Sequence, residues 1–514
     1  MMDSFGFAYQ YPEWKLKLKP ATQRCNDLCN AIQDFIAPKY YYDRSTRSVQ
    51  MRLYTLTKRQ FVLVFICFFA AFGVSVLIGI TGPSIDVSFS TVRSNANTND
   101  SFSLESPTLN KFNRSLWLTA VINSTDYKKD KFQSDLAVTV SIRGAKDDAS
   151  VEKVGQQEYN HDRSLICSKK SGCQPILLAH VGVLEYAKYH FVITLAGLEN
   201  NPADSISFCF RSYNPIFSNM EIWFRFIFLV LTFIVTCMFA HALRKFSIRD
   251  WSIEQKWLSV LLPLLLLYNN PIFPLIFLVN SWVPLIVDNI FQTTFLSALL
   301  LFWLCTYHGI RQSDRKWMKF YLPKAIIVGA MWIIGITMTC WQQYRGLYDP
   351  TFNYKVDSGN FVALITIFFI FGGLYLLYLL FLVIRAFTEL RSLPYMNLRL
   401  QFMTILMLCV VIASTIITIL RFGVSIIKEN FVSELSTYYK NSAEFLAFYS
   451  LLNLYLYTMA FVYSPSKNAY KDSYFKDNPT FAMLNESEDD MGSEDEEDQR
   501  TSLTSTRYQD SDNE

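Results

Sequence analysis

The chain has 514 residues, 51% of them hydrophobic, 16% aromatic and only 18% charged, with a formal net charge of +3. Soluble globular domains carry roughly one quarter charged residues, so this composition excludes an ordinary soluble protein, and the lack of an extended basic face excludes a nucleic-acid binder. The charge is partitioned along the chain, with basic clusters beside apolar runs and an acidic block near the C-terminal end.

Residues 1–60 read as a cytosolic N-terminal segment. The first apolar run, FVLVFICFFAAFGVSVLIGI at 61–80, holds no charge and follows Arg44, Arg47, Arg52, Lys58 and Arg59. A bilayer core about 30 Å thick takes roughly 20 apolar helical residues. The run is long, starts late and lacks an A-x-A site, so it predicts an uncleaved anchor helix rather than a signal peptide.

Residues 81–221 change period. In LAVTVSI, Leu136, Val138, Val140 and Ile142 alternate with small polar residues, and SISFCFR repeats the pattern with Ile206, Phe208 and Phe210. RSLWLTAVI, PILLAHVGVL and YHFVITLAGL are further strand candidates. Alternation broken by polar turns predicts an antiparallel β-sandwich with one buried face per sheet. Asn99, Asn113 and Asn123 open N-x-S/T sequons here, as candidate glycosylation sites. Cys167 and Cys173 are the candidate disulfide of an oxidising compartment, with Cys209 left over or competing for either partner. Cys25 and Cys29 form a C-x3-C pair too weak to carry a metal site.

Seven further spans are expected at 222–243, 258–279, 285–307, 322–341, 361–384, 402–427 and 443–463. Loops 244–256, 308–321 and 385–401 carry four, four and three basic residues, against none, two and two in loops 280–284, 342–360 and 428–442. Basic residues mark the cytosolic side, so both termini are expected in the cytosol and the β domain in the lumen or outside. Trp282 and Trp341 read as interface anchors.

The mid-span regions hold no carboxylate, and Asp288 and Glu444 fall at exofacial ends, which disfavours an ion-coupled pump. Hydrolase, metalloprotease and phosphate-loop motifs are missing. No enzyme, cofactor or metal is expected. The unusual stretch is YNNPIFP, 268–274, inside LLPLLLLYNNPIFPLIFLV. Counted from Leu258, Asn270 lies about 18 Å into the span at 1.5 Å per residue, near the midplane. Its prolines free backbone carbonyls, which survive in a bilayer only inside protein or beside a watery cavity. Two readings stand: a kink whose amides, Asn269 and Asn270, bond neighbouring helices, or a segment lining a cavity open to lipid or lumen. Arg421 either snorkels to the headgroups or pairs inward with Glu444 or Asp288. Asn453 and Tyr457 share one helical face with Tyr449, as a cavity stripe or as interhelical bonding.

NLYLYTMAFVYSPSKN, residues 453–468, resembles the closing helix of the Wntless family. The plan of anchor helix, β domain, seven helices and cytosolic tail is similar too. MRLYTLTKRQFVLVF, EIWFRFIFLVLTFIVTC, RKFSIRDWSIEQKWLSVLLPLLLLYNNP and SAEFLAFYSLLNLYLYT resemble more closely the transmembrane protein 181 branch of that family, over roughly residues 51–490. The resemblance implies a GOLD-like antiparallel β-sandwich seated on a bundle similar to G-protein-coupled receptors. The fold class expected is therefore a multi-pass α-helical membrane protein: one anchor helix, a seven-helix bundle and a lumenal or extracellular sandwich. The resemblance also implies escort of lipid-modified secreted clients, and, for this branch, receptors that include one for a bacterial toxin. It carries over no catalytic residue. The rhodopsin-like D-R-Y and N-P-x-x-Y landmarks are absent, so G-protein coupling would rest on fold analogy alone.

Residues 464–514 read as a disordered acidic tail, with nine acidic residues in ESEDDMGSEDEED at 486–498. Ser487 and Ser493 each have an acidic residue at +3 and are candidate phosphorylation sites that would strengthen a patch for cytosolic sorting adaptors. DNPTF, 477–481, is a weak endocytosis-type turn. The expected membrane is that of the Golgi, endosomes or cell surface. Three functions follow: a trafficking or cargo receptor for a lumenal protein or lipidated client, a cell-surface signalling or toxin receptor, and a lipid-handling or channel-like protein. Membrane lipids are partners of all three.

Overall fold

The alternating segments do form strands. The structure, a computed structural model, describes residues 49–94, 101–123, 131–145, 151–154, 158–168, 172–196, 205–279, 281–311, 317–352, 359–390, 394–422, 441–466 and 469. Its strands are Asp86–Ser94 (β1), Ser101–Glu105 (β2), Leu116–Asn123 (β3), Lys131–Ala145 (β4), Val151–Lys153 (β5), Tyr159–Ser168 (β6), Gly172–Cys173 (β7), Ile176–Val181 (β8), Lys188–Ala196 (β9) and Ser205–Tyr213 (β10). One sheet runs β1-β10-β3-β8 and the other β2-β9-β4-β6-β7, with β5 on β4. The strands pair antiparallel, for example Phe89 opposite Phe210 and Val140 opposite Ile193.

Leu136, Val138, Val140 and Ile142 of β4 and Ile206, Phe208 and Phe210 of β10 are all buried in one core cluster. Phe191 of β9 meets Phe210 across the sheets at 5.7 Å between ring centroids. Period-2 patterning alone thus sets which face each strand buries. Cys167 and Cys173 are joined in a disulfide and Cys209 is a free thiol.

The turn between β2 and β3 departs from expectation. Asn110 caps the single helical turn Lys111–Asn113, and the Asn113 side chain accepts from the Asn110 amide at 2.8 Å. Its Nδ2 donates to the Tyr213 carbonyl at 2.9 Å, and the residue is 8% exposed. A glycan on that nitrogen would have to break this packing, which argues against Asn113 as an acceptor. Of the other two, Asn99 and the Asn123 side chain lie outside the described residues. Glycopeptide mass spectrometry of protein from secretory membranes is expected to find Asn113 unmodified; an occupied Asn113 would overturn this packing.

The helices are Lys58–Ile80 (α1), Pro215–Leu243 (α2), Ile253–Tyr268 (α3), Val283–Arg311 (α4), Leu322–Tyr348 (α5), Gly359–Leu390 (α6), Pro394–Phe422 (α7) and Ser442–Tyr463 (α8). Among the described residues six are long and apolar enough to cross a bilayer; α3 and the apolar part of α7, Gln401–Ile417, are shorter. A count of seven full spans after the anchor is therefore not confirmed among the described residues. The physical reason in α3 is its ending. Asn270 takes a left-handed φ of 51°, the conformation that closes helices at the residue after the cap, and Pro271 cannot continue the helix. A string of i→i+3 bonds follows, through Phe273 to Asn270 and Phe277 to Pro274. Measured from Ile253, where the helix begins, Asn270 lies about 25 Å along the axis.

The described residues divide into two compact units, one within 58–238 and 257–460, the other within 49–57, 239–256 and 461–469. In the first, α1 is packed rather than isolated. A Cβ at Gly79 would stand 2.6 Å from the Ala443 Cα, so only glycine permits this approach to α8. Ser84 pairs with Asn441, and Phe61 and Phe65 meet Phe402 of α7 at 5.6 and 5.7 Å. Elsewhere on α1, Val62, Leu63, Ile66 and Leu77 are exposed, as lipid-facing residues are. In the second unit, Met51 bridges to Pro465, Ser466 N donates to the Gln50 carbonyl at 2.9 Å, and Val49 N to the Asp250 carbonyl at 3.1 Å. Ser252 and Gln255 form a reciprocal capping box at the start of α3, and Gln255 Nε2 reaches the Tyr463 carbonyl at 3.0 Å.

Candidate functional site

Polar side chains buried among helices must be paired, so their partners outline the working interior. On α2, Glu221 and Arg225 stand four residues apart, on one face. Arg225 Nη2 donates to Glu221 Oε1 at 2.9 Å, and its Nη1 donates to Asp288 Oδ1 on α4 at 3.1 Å. Asn270 Nδ2 donates to the same Asp288 oxygen at 2.7 Å, and Gln292 Nε2 to Oδ2 at 2.8 Å. At the other end Arg114, from the turn before β3, donates through Nη1 to Glu221 Oε2 at 3.1 Å. Glu221, Arg225 and Asp288 are each no more than 4% exposed.

The result is a chain, Arg114–Glu221–Arg225–Asp288, that alternates in sign and is neutral overall. It begins on the β-sandwich and ends inside the helices. Aromatic faces enclose it: the Arg225 guanidinium lies 4.0 Å from the Phe273 ring centre, and that of Arg114 lies 4.8 Å from Tyr213. Burial works against the Arg114 charge, but the Glu221 carboxylate and Tyr213 more than offset it, so its pKa is raised. The two non-glycine residues with positive φ among the described residues are Arg114 and Asn270. Both belong to this network. Backbone strain of this kind costs about 1–3 kcal/mol and persists where the surroundings over-determine it, commonly at functional sites.

A second cluster lies beside it. Asn269 Nδ2 donates to Thr232 Oγ1 at 2.7 Å and to Asn453 Oδ1 at 3.0 Å, and the Tyr457 hydroxyl lies 2.6 Å from Thr232 Oγ1. These contacts tie α2, α3 and α8 together, and Tyr268 stacks on Tyr449 at 5.3 Å. The amides of YNNPIFP are thus bonded to neighbouring helices, as the kink reading required. Neither amide lines the cleft of about 70 Å³ between the Lys111–Ser115 turn and the segment after α3.

The structure brings together Asn269, Asn270, Asp288, Asn453 and Tyr457. It does not give Asp288 to Arg421: Arg225 holds that carboxylate, and the Arg421 side chain lies outside the described residues. Glu444 is half-buried in the first turn of α8. Ser487 and Ser493 also lie outside the described residues. Missed by the sequence reading were Arg114, Glu221 and Arg225. The signal was present, an E-x-x-x-R pair at the mouth of an apolar run, with Arg225 already inside it. Arg114 was concealed within the N-R-S sequon.

Contacts elsewhere fasten the sandwich to the helices. Ser218 Oγ on α2 donates to the Phe112 carbonyl at 2.7 Å, and the Phe112 ring meets Phe277 at 5.5 Å. His161 on β6 pairs with Asp349 beyond α5 at 2.6 Å.

Residues 214–467 match the family described as Wntless-like, transmembrane domain, and residues 100–213 match the transmembrane protein 181 GOLD domain. The boundary falls where β10 ends and α2 begins, beside the charge chain. Transmembrane protein 181 of Homo sapiens is 51% identical over 447 residues, which cover 86% of this chain and 93% of that relative. With its GOLD-type sandwich joined through buried ion pairs to a Wntless-like helical domain, the chain belongs to the transmembrane protein 181 family of multi-pass membrane proteins.

Proposed function

We propose that the protein is a trafficking receptor of the secretory pathway, whose β-sandwich and helical domain together engage a lumenal protein or lipidated client. The observation that carries this reading is the Arg114–Glu221–Arg225–Asp288 chain. A client that shifts the turn bearing Arg114 moves a charge paired to the helix interior, so occupancy of the sandwich is felt by the bundle. A receptor that must load and release needs such coupling between sites. The reading also uses the acidic tail, as the part that recruits sorting adaptors.

The test compares secreted and surface proteins from cells with and without the protein, with add-back of the full chain, of a chain ending at Asn478, and of Arg114→Gln. The expected result is selective loss of a few glycoproteins, restored by the full chain and not by the truncated one or by Arg114→Gln. An unchanged secretome would sink cargo escort and favour a cell-surface receptor instead.

A further inference from the structure

The exit of α8 is tied to a basic turn. Ser466 donates through its N and Oγ to the carbonyl and Oε1 of Gln50, at 2.9 and 3.1 Å. The residue before, Val49, donates to the Asp250 carbonyl at 3.1 Å. Chain that continues past Ala469, itself buried, therefore leaves beside the turn between α2 and α3.

That turn is held by its own hydrogen bonds. Phe246 N donates to the Leu243 carbonyl at 3.0 Å, Asp250 N to the Ser247 carbonyl at 2.9 Å, and Trp251 Nε1 to the Phe246 carbonyl at 3.2 Å. It presents Arg244, Lys245 and Arg249 as exposed cations, with Ile248 49% exposed among them. The described residues of this compact unit hold five lysines and arginines against two carboxylates, Asp250 and Glu254, and Glu254 is buried. The surplus charge is positive.

The same chain carries a matching segment. Past Ala469, outside the described residues, FAML at 481–484 leads into ESEDDMGSEDEED at 486–498, with its nine acidic residues. Glu486 is 17 residues beyond Ala469, a stretch that reaches up to about 60 Å when extended. A tether of this kind keeps its end at roughly millimolar effective concentration. An anionic membrane surface attracts the same cations. The tail, however, is covalently held beside them, and it joins an apolar run to its acidic block as Ile248 joins the cations.

We propose that residues 481–498 dock on the Arg244–Arg249 turn, the acidic block on its cations and the apolar run at Ile248. Docked there, the segment covers its own serines, Ser487 and Ser493, so a kinase or an adaptor must first displace it. The contact rests on charge and tether length and is independent of the trafficking reading.

The test uses the full chain in phosphatidylcholine nanodiscs, with the photo-crosslinking residue benzoylphenylalanine in place of Ile248 and adducts mapped by mass spectrometry. Adducts to residues 481–498 of the same chain are expected, with a yield that does not change on dilution. In about 1 M salt, where the screening length is about 3 Å, that yield should fall sharply. Arg244→Glu together with Arg249→Glu should lower it about tenfold. Adding Asp489→Lys, Asp490→Lys, Asp495→Lys and Glu496→Lys to that background should restore it, which separates lost charge pairing from a misfolded turn. A second measurement needs no substitution. A labelled 481–498 peptide should bind a chain ending at Asn478 about tenfold more tightly than the full chain, whose own tail competes. Adducts confined to other segments, a yield indifferent to the charge reversal, or equal peptide affinity for both chains overturns the proposal. In nanodiscs containing phosphatidylserine, adducts that move from the tail to lipid would name the membrane surface as the occupant and overturn it too.

Discussion

Arg225→Met is expected to be among the most damaging single substitutions in the helical domain. It leaves Asp288 buried without a cation and strips Glu221 of its nearer partner, from which Nε and Nη2 lie 3.1 and 2.9 Å away. Removing one member of a buried pair costs about 3–5 kcal/mol, far more than the net worth of the intact pair, because the stranded charge cannot be solvated. Arg114→Met should cost less, since Glu221 keeps Arg225. The distinguishing variant is the double Arg225→Met with Asp288→Asn. It restores neutrality, with Arg114 facing Glu221; the amide oxygen can still accept from Asn270, and the NH2 takes the other position, where Gln292 turns its Oε1 to accept. Thermal unfolding of the full chain in detergent should show the double recovering part of the loss, a coupling of about 0.5–3 kcal/mol. If the double falls by the sum of its parts, the four residues do not act as a unit.

What could be read from residues alone depends on the length scale of each signal. Strands β4 and β10 were legible because burial alternates residue by residue, and Leu136 through Ile142 show it without help from distant parts. The six long spans were legible because hydropathy averages over a window. The same averaging concealed the rest. Within 258–279, two asparagines and three prolines are outvoted by the leucines around them, so a helix of 16 residues ending at Tyr268 reads as a longer span. Arg225 disappears in the same way inside the apolar run of Pro215–Leu243.

Partner choice was not legible. Arg114 and Glu221 are 107 positions apart, and Asn269 and Asn453 are 184 apart; no local pattern records that they meet. Asp288 stood only beside Glu444 as a carboxylate that an inward Arg421 could reach, because depth was the one guide to its partner. Depth along a span fixes one coordinate of a side chain, and the helix face and the neighbouring helix supply the others. Asn113 shows the converse limit. A three-residue motif has the right chemistry for glycan transfer, but the fold spends the same amide on the Tyr213 carbonyl.

The left-handed turn at Asn270 offers a sharper experiment, because two of its contributions can be separated. The side chain donates to Asp288 at 2.7 Å and accepts from the Ile272 amide at 3.1 Å, while the backbone holds φ at 51°. Asn270→Gly loses both hydrogen bonds but relieves the backbone, and a hydrogen bond to a charged group is worth about 1.5–3 kcal/mol. Asn270→Ala loses the same bonds and adds the penalty of a left-handed residue, about 1–2 kcal/mol, partly offset by the smaller freedom of its unfolded chain. Asn270→Asp tolerates the turn but sets a carboxylate against Asp288, where like charges repel and one must take up a proton. Thermal midpoints should therefore run wild type, Gly, Ala, Asp in descending order, with Ala about 1 kcal/mol below Gly. Were Ala to equal or exceed Gly, the positive φ would not be what stops α3, and the prolines alone would have to end it.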